Sequence, residues 1–144
     1  MIIRPMKEND RAEVMAMMRT FYNSPAVNTN GSEEIYAADI DACVSASPYA
    51  EGFIFADGEV VCGYGMIAKS FSTEYGKPCV WIEDLYVKPE HRKRGIGTQF
   101  FKYIKEKYPD AVLRLEAEED NLTAVRLYEK SGFNVVPYLE MWNM

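Results

Sequence analysis

The sequence predicts one domain of the α+β or α/β class, built around a mixed sheet. A length of 144 residues leaves room for a single core. A hydrophobic content of 48% with 26% charged residues is typical of a folded globular protein. Segments with helical periodicity alternate along the chain with β-rich runs, and neither a repeat nor a long linker divides them. We therefore expect residues 1–144 to form one domain.

The first third predicts a short strand and two helices. Ile2 and Ile3 indicate the strand, and residues 10–13 have the spacing of a capping box that begins a helix. An apolar stripe at helical spacing follows, formed by Val14, Met17, Met18, Phe21 and Tyr22. After a polar break at residues 23–31, Ser32 is expected to cap a second helix. The predicted inward residues of that helix are Tyr36, Ile40, Cys43 and Val44.

The middle of the chain predicts an antiparallel meander. Two β-rich runs, residues 53–56 and 60–70, are separated by Asp57 and Gly58, a strong hairpin signal. A polar, glycine-containing turn then leads into a third predicted strand at residues 79–87. Three strands that follow one another in this way form an antiparallel sheet.

The last third predicts a crossover unit and a final strand. A helix is expected at residues 96–107, a strand at 112–117, a helix at 122–131 that Gly132 ends, and a strand at 134–142. The inward residues of the first of these helices are Ile96, Phe100, Tyr103 and Ile104.

Charge and composition exclude several classes of protein. Sixteen basic against 22 acidic residues give a net charge of −6, which disfavours a nucleic-acid partner and favours a cationic one. The longest apolar run, Val14 to Met18, is too short to cross a bilayer, and no secretory signal opens the sequence. Three scattered cysteines without a CxxC pair indicate neither a disulfide framework nor a zinc site. We therefore expect a cytoplasmic protein without a metal.

The most informative segment is residues 92–98, which lie between a predicted strand and a predicted helix. Gly95 and Gly97 allow close approach of the backbone to a ligand, and a helix N-terminus favours an anion. Positive charge is concentrated at this turn, on Lys88, His91, Arg92, Lys93 and Arg94. The segment is neither a P-loop nor a dinucleotide fingerprint, since Phe100 stands where the third glycine would be. On these residues alone, a phosphate site and a basic turn without a ligand both remain open.

Two motifs in this half of the chain carry a family resemblance. Arg92, Gly95 and Gly97 fit Arg/Gln-x-x-Gly-x-Gly/Ala, and residues 121–133 are similar to N-x-x-A-x-x-L/F-Y-x-x-x-G-F. Together they resemble the GNAT superfamily of N-acetyltransferases. The resemblance implies a central, twisted, mostly antiparallel sheet flanked by helices. It also implies acetyl-CoA as co-substrate, a primary amine as acceptor, and no metal.

The resemblance also implies a set of site residues. Those expected to bind acetyl-CoA are Leu85, Tyr86, Val87, Arg92, Lys93, Arg94, Gly95, Ile96, Gly97, Thr98, Asn121 and Tyr128. In this family the strand at residues 83–87 separates from its neighbour and offers backbone groups to the pantetheine arm, and an amide near Leu85 or Tyr86 holds the thioester carbonyl. Tyr128 matches the tyrosine that protonates the leaving thiolate; its alternative role is core packing. Asn121 is expected to contact pantetheine, to cap the helix, or both.

Two adjacent carboxylates are candidates for the proton acceptor. An alkylamine with a pKa of about 10.4 is mostly protonated at neutral pH, so attack on a thioester needs a base or a desolvated site. Regular strand geometry predicts that Glu83 and Asp84 point to opposite faces. We favour Glu83, since residues 81–87 resemble the corresponding strand of the diamine and polyamine acetyltransferases. A structural carboxylate is the alternative for Glu83, and a structural role is expected for Asp84.

Other chemistry is less favoured. His91 is the single histidine and adjoins the phosphate loop, so a Cys–His nucleophile is not expected. We expect the three cysteines to be buried, inert thiols. A run of acidic residues is either a solvated loop or a surface for the acceptor: Glu116, Glu118, Glu119 and Asp120.

The predicted function is an N-acetyltransferase that works by direct attack in a ternary complex. The acceptor class stays open between a small-molecule and a peptidyl amine, with a cationic polyamine or aminoglycoside among the candidates. The alternative is a non-catalytic acyl-CoA-binding or regulatory module of the same fold. A third interpretation is an interaction domain that pairs through residues 135–142, and a homodimer is compatible with catalysis.

Overall fold

The sheet has five strands whose spatial order follows the chain. The computed structural model describes residues 1–27 and 31–144. The strands are β1 (Ile2–Pro5), β2 (Ala50–Asp57), β3 (Val60–Ser72), β4 (Lys77–Val87) and β5 (Val112–Leu115). The pairs from β1 to β4 are antiparallel, and β4 pairs with β5 in parallel. The expectation of a mixed, mostly antiparallel sheet is confirmed.

Four helices flank the sheet, and the sequence predicted each of them. They are α1 (Arg11–Tyr22), α2 (Glu33–Val44), α3 (Ile96–Lys107) and α4 (Leu122–Lys130). Ser32 caps α2 by accepting a hydrogen bond from the Ile35 amide at 3.2 Å, and Asn121 caps α4 through the Ala124 amide at 3.3 Å. The predicted break at 23–31 includes residues 28–30, which lie outside the described residues.

The start of α1 is predicted correctly, but the capping box is wrong. Asp10 precedes the helix without a side-chain cap. Its carboxylate instead accepts two hydrogen bonds from the Arg4 guanidinium, both at 2.8 Å, and one from the Lys7 amide at 2.8 Å. A bidentate pair with arginine is stronger than a neutral cap, so the end of β1 holds this side chain.

The sheet separates two clusters of buried side chains. On one face α1 and α2 cover the sheet, and that cluster includes Val14, Met17, Met18, Tyr36, Ile40 and Tyr64. On the other face α3 covers it, with a cluster that includes Phe53, Phe55, Ile67, Val80, Phe100 and Ile104. Gly65 permits this packing, since an added Cβ would lie 2.6 Å from the Phe100 ring. The predicted helical stripes therefore do supply the core.

A β-bulge interrupts β4 at Glu83. In the ladder with β3, Ile82 lies opposite Ile67 and Asp84 lies opposite Met66, so Glu83 is the extra residue. Ile82 packs in the α3 cluster, whereas Tyr86 packs in the α1/α2 cluster and Asp84 contacts a tyrosine of that same cluster. The bulge thus shifts the alternation by one residue and places Glu83 and Asp84 on the same face. The prediction that they point to opposite faces is wrong, because it assumed a regular strand.

The pairing of the two parallel strands ends at the same point. The ladder between β4 and β5 covers only Cys79 to Ile82 on β4, paired with Val112 to Leu115 on β5. β4 continues to Val87, so residues 83–87 have no β5 residue beside them. Because β5 ends at Leu115, the edge of β4 is unpaired from Glu83 onward, and we call this unpaired edge the gap between β4 and β5. The divergence of the two strands that the resemblance implied stays a prediction.

The predicted strand at 134–142 is wrong. Among the described residues, this segment enters no strand ladder, and Val135, Leu139, Met141 and Trp142 are 95%, 86%, 82% and 78% exposed. Pro137 cannot donate to a ladder. The Tyr138 hydroxyl donates to Glu74 at 2.7 Å, which holds the segment near the β3–β4 turn. The apolar pattern that suggested a strand is therefore exposed.

In the part of the chain that the structure describes, no helix has the length and apolarity required to cross a membrane.

Candidate active site

The loop before α3 has the backbone of an anion-binding turn. Lys93 adopts a positive φ of 63°, and Gly95, at the N-cap of α3, has a φ of 76° with open space around its Cα. The first amides of α3, on Ile96, Gly97 and Thr98, have no acceptor within the helix, since the first helical bond is donated by Gln99 to Gly95. These amides and the helix dipole favour an anion.

The basic side chains of this loop are exposed and differ in role. The Arg92 Nε donates to the Val87 carbonyl at 2.8 Å, and its guanidinium lies 5.8 Å from the centre of the Tyr86 ring. Arg92 therefore attaches the loop to the end of β4. Lys93 and Arg94 are exposed beside the open amides, where they raise the local positive potential.

Gly97 packs closely against α4. A Cβ at this position would lie 2.9 Å from a terminal methyl of Leu127 and in ordinary contact with Leu85, at 3.6 Å. A small side chain here would thus require the end of the Leu127 side chain to move. Close approach of a ligand to Gly97, which the sequence suggested, stays a prediction.

Tyr128 lies on α4 at the edge of the α3 cluster. Its ring packs edge-on against Phe101 and Phe133, with ring centres 5.9 and 6.3 Å apart. Burial raises the pKa of its phenol. Among the described residues its hydroxyl has no hydrogen-bond partner within the chain. The ring thus packs in the core, while the hydroxyl keeps its proton at neutral pH.

The carboxylates lie on the opposite face, below α1 and α2. Glu83 is exposed, whereas Asp84 is only 4% exposed. The Asp84 carboxylate accepts hydrogen bonds from the Tyr22 hydroxyl at 2.9 Å and the Tyr64 hydroxyl at 2.6 Å. From the sequence we assigned Tyr22 only to the core stripe and did not single out Tyr64. The available signal was a tyrosine in a strand next to one that carries an acidic residue.

The electrostatics of this face favour the protonated carboxyl. Burial, and then the charge of Asp84, raise the pKa of Asp39 on α2 to about 6. Burial, followed by Asp84, Asp39 and Glu140, raises the pKa of Glu83. Within the described residues, Asp39, Glu83 and Asp84 form no ion pair with a basic side chain. This face therefore has negative charge without a compensating cation, and Asp39 was not predicted.

A cavity of about 430 Å³ is lined by residues of β3, β4 and β5 and of the β3–β4 turn, whereas Asp39, Glu83 and Asp84 are not among its lining residues. Trp81 lies in its wall, two residues before Glu83 on β4, and the Arg114 guanidinium stacks 5.0 Å from the centre of the Trp81 ring. Tyr138 and Glu74 close the other side. Regular alternation up to the bulge places Trp81 and Glu83 on the same face.

The structure divides the predicted site residues between the two faces. Leu85, Val87, Ile96 and Tyr128 belong to the α3 cluster, whereas Glu83 lies on the α1/α2 face. The unpaired edge of β4, from Glu83 to Val87, carries residues of both faces. His91 lies next to Arg94, 3.4 Å from ring nitrogen to guanidinium. Cys62 and Cys79 are buried free thiols, and Cys43 is a partly buried one.

A mixed, mostly antiparallel sheet with a helix N-terminus after its fourth strand is the arrangement that the sequence resemblance implied for an acyltransferase, and comparison with known proteins specifies the family. Residues 15–133 match the acetyltransferase (GNAT) family. The chain belongs to the GNAT acetyltransferases, so the resemblance found in the sequence is confirmed.

Curated relatives and solved structures agree with this assignment. The thialysine N-epsilon-acetyltransferase of Bos taurus is 31% identical over 157 residues, covering 99% of this chain and 89% of the bovine protein. A possible acetyltransferase from Clostridium difficile 630 has a TM-score of 0.83 at 20% identity, covering 99% of this chain and 95% of that one. AAC(6')-Iy, solved with the bisubstrate analog CoA-S-monomethyl-acetylneamine, has a TM-score of 0.79 at 14% identity, covering 99% and 97%. These two structures share the fold.

Proposed function

We propose that this protein transfers an acetyl group from acetyl-CoA to a primary amine by direct attack in a ternary complex. One observation supports the proposal: the unpaired edge of β4 lies between a turn with open amides on the α3 side and, on the α1/α2 side, carboxyl groups that form no ion pair among the described residues. A large anionic donor and a cationic acceptor would thus meet at the gap from opposite faces.

The α3 face holds the donor. Open amides of Ile96, Gly97 and Thr98 would bind the pyrophosphate, with Lys93 and Arg94 adding charge. The unpaired edge of β4, from Leu85 to Val87, would bind the pantetheine arm through backbone groups. The cap at Asn121 fixes the start of α4 and hence the position of Tyr128.

The α1/α2 face prepares the acceptor. Glu83 would take a proton from the ammonium group, directly or through water, and its raised pKa suits it to that exchange. The neutral nitrogen then forms a bond with the thioester carbon, while an amide near Leu85 or Tyr86 stabilises the carbonyl oxygen. The carbon–sulfur bond breaks, and Tyr128 donates its proton to the thiolate. The nitrogen of the new amide then loses its remaining excess proton, which returns to the Tyr128 phenolate through water, so Glu83 holds the one proton that the reaction releases.

The acidic face supports a cationic acceptor, either a small molecule or a peptidyl amine. An ammonium group on the acceptor would compensate Asp39 and Glu83, and the cavity that Trp81 lines would take the rest of the molecule. Thialysine and aminoglycosides, named for relatives and structural neighbours, are amines, and polyamines have the same chemistry.

A homodimer is part of the proposal. β5 has a sheet neighbour on one side only, and residues 134–144 have large exposed apolar side chains. A second copy would cover such a segment and edge. Light scattering of the full chain and of a chain ending at Phe133 tests this; a monomeric full chain contradicts it.

The decisive experiment measures acetyl-CoA-dependent release of free thiol with four separate pools of amines: polyamines, aminoglycosides, amino acids and peptides. We expect release with at least one pool, and a rate about 100-fold lower for Tyr128→Phe, since a general acid contributes on that scale. Tyr75→Phe is the matched control, because Tyr75 is exposed in the β3–β4 turn. Equal rates for Tyr128→Phe and wild type would contradict the acid role.

The same experiment distinguishes the proposed enzyme from the alternative, a protein that binds acyl-CoA without catalysis. A non-catalytic acyl-CoA-binding or regulatory module binds acetyl-CoA, as measured by calorimetry, but releases no thiol with any pool. The exposed carboxylate at the bulge and the hydrogen-bond-free Tyr128 hydroxyl favour the enzyme.

A further inference from the structure

We propose that Asp84 is a positioning residue for Glu83: held by Tyr22 and Tyr64, it fixes the β-bulge and, in its ionised form, presents negative charge to the face where Glu83 works. The inference rests on the proposed function in assigning Glu83 to the acceptor amine. The structure otherwise carries it through the bulge and the three side chains that surround it.

Asp84 is anchored from two other elements. Tyr22 comes from the last turn of α1 and Tyr64 from β3, and both hydroxyls donate to the same carboxylate. Burial raises the pKa of Asp84, and the hydrogen bonds donated by Tyr64 and Tyr22 favour the ionised carboxylate and oppose that rise. Tyr64 is fully buried, so this arrangement has little freedom to move.

Packing alone does not account for Asp84. Burying a carboxylate without a cation costs more than burying an apolar side chain of similar size, and Asp84 has no ion pair among the described residues. Its neighbours Tyr86 and Tyr64 show that this position lies in an otherwise apolar cluster. A charged residue here therefore serves something other than the core.

The bulge connects Asp84 to Glu83. Asp84 lies opposite Met66, Glu83 is the extra residue before it, and both face α1 and α2. Since Asp84 is the second residue of the bulge, fixing its side chain fixes the backbone that orients Glu83. Without the two tyrosine hydrogen bonds, a regular register would compete with the bulge.

Glu83 experiences charge from several elements. Asp84 on β4, Asp39 on α2 and Glu140 in the C-terminal segment all raise its pKa. Burial, and after it Glu140 and Glu83, raise the pKa of Glu116, which follows β5. Burial and then Asp84 raise the pKa of Tyr22 on α1, and Glu83 adds to that rise. Of these charged groups, Asp84 has the largest effect on the pKa of Glu83, and two hydrogen bonds hold it in place. Removing its charge should lower the pKa of Glu83.

The test titrates Glu83 directly. Carboxyl carbons of ¹³C-labelled glutamate are followed by NMR from pH 3 to 9 in the full chain, and Glu83→Gln assigns the signal. The variants are Asp84→Asn, Tyr64→Phe and Tyr22→Phe, and Asp57→Asn is the control, since Asp57 is exposed at the end of β2. The pH profile of kcat/KM, the KM for acetyl-CoA and the melting temperature are measured on the same proteins.

We expect Asp84→Asn to lower the Glu83 midpoint by about one pH unit. The acidic limb of kcat/KM should move the same way, and kcat should fall about 10-fold while the KM for acetyl-CoA stays unchanged. Tyr64→Phe and Tyr22→Phe should also lower the Glu83 midpoint, but by less. Each removes one hydrogen bond to the Asp84 carboxylate and so lowers the fraction of Asp84 that is ionised. They carry the test if Asp84→Asn does not fold.

An unchanged Glu83 midpoint in the folded variants overturns the inference, even if kcat falls. The inference is also overturned if the Glu83 midpoint shifts no more in these variants than in the Asp57→Asn control. The proposed function fails separately, when the wild type shows no turnover with any amine, because the titration needs no substrate. A shifted midpoint without turnover would leave the coupling established and remove the acetyl transfer.

Discussion

The two ends of the unpaired stretch of β4, at Glu83 and after Val87, carry opposite charge, and that charge comes from different kinds of group. After Val87 the chain forms a turn whose positive potential comes mainly from backbone amides, supplemented by exposed basic side chains. At Glu83 the negative potential comes entirely from side chains that belong to several elements. One region is contiguous in sequence and built on backbone; the other is dispersed and built on carboxylates.

This difference predicts how each region responds to mutation. A backbone site tolerates the loss of one side chain but not a change of backbone conformation, since its donors are amides. A carboxylate site has the reverse sensitivity, because one atom substitution removes a charge and a proton acceptor. The acidic region should therefore give the largest effect on turnover, and the basic turn a smaller one on donor affinity.

The largest expected effect is that of Glu83→Gln. Replacing the proton acceptor by an isosteric amide should lower kcat/KM about 100-fold or more at neutral pH and abolish the acidic limb of the pH profile. Acetyl-CoA affinity should not change. Glu34→Gln, on the exposed side of α2, is the matched control. Retention of the wild-type limb in Glu83→Gln would remove Glu83 as the titrating group.

The second effect concerns the backbone turn. Gly95→Ala places a Cβ on a residue with a φ of 76°, which costs about 1–2 kcal/mol unless the turn changes shape. If the turn changes shape, the dissociation constant for acetyl-CoA should rise about 10-fold, measured by calorimetry. Gly58→Ala is the control, because Gly58 has a φ of 62° and open space in the distant β2–β3 turn. Equal affinity in both variants, when the amide NMR signals of the turn show that Gly95→Ala has changed its shape, would contradict an anion site before α3.

The smallest effect is on stability, through Asp39. Its pKa of about 6 in the folded chain lies above the ordinary value of about 3.9, so the folded state binds more protons between these limits. Stability from this group is therefore present at pH 4 and is lost as the pH rises through 6. Asp39→Asn should stabilise the protein at pH 7 by about 1 kcal/mol after solvent screening, measured by urea unfolding. At pH 4 the variant and the wild type should unfold alike; a pH-independent difference would contradict the assignment.

The sequence predicted the helices, four strands close to their observed bounds and the short β5, because each has its own periodicity or turn signal. It also located the anion turn, since that site is contiguous from Arg92 to Thr98. It did not predict the bulge, because one extra residue leaves no mark in the apolar pattern of 79–87. Tyr64 and Asp39 were missed for a related reason: each lies in another element, and only the folded register brings it to Asp84. Pro137 was the local signal against a last strand.

The bulge also separates the reactive residue from the fold along the chain. With Glu83 deleted, Ile82 would be followed directly by Asp84, and both would keep the faces that they now occupy. The ladder with β3 would become regular, and neither core would need to repack. Gain or loss of a single codon is thus sufficient to add or remove the carboxylate at this position. With the role proposed for Glu83, that one change would convert an enzyme into a binding protein of the same fold.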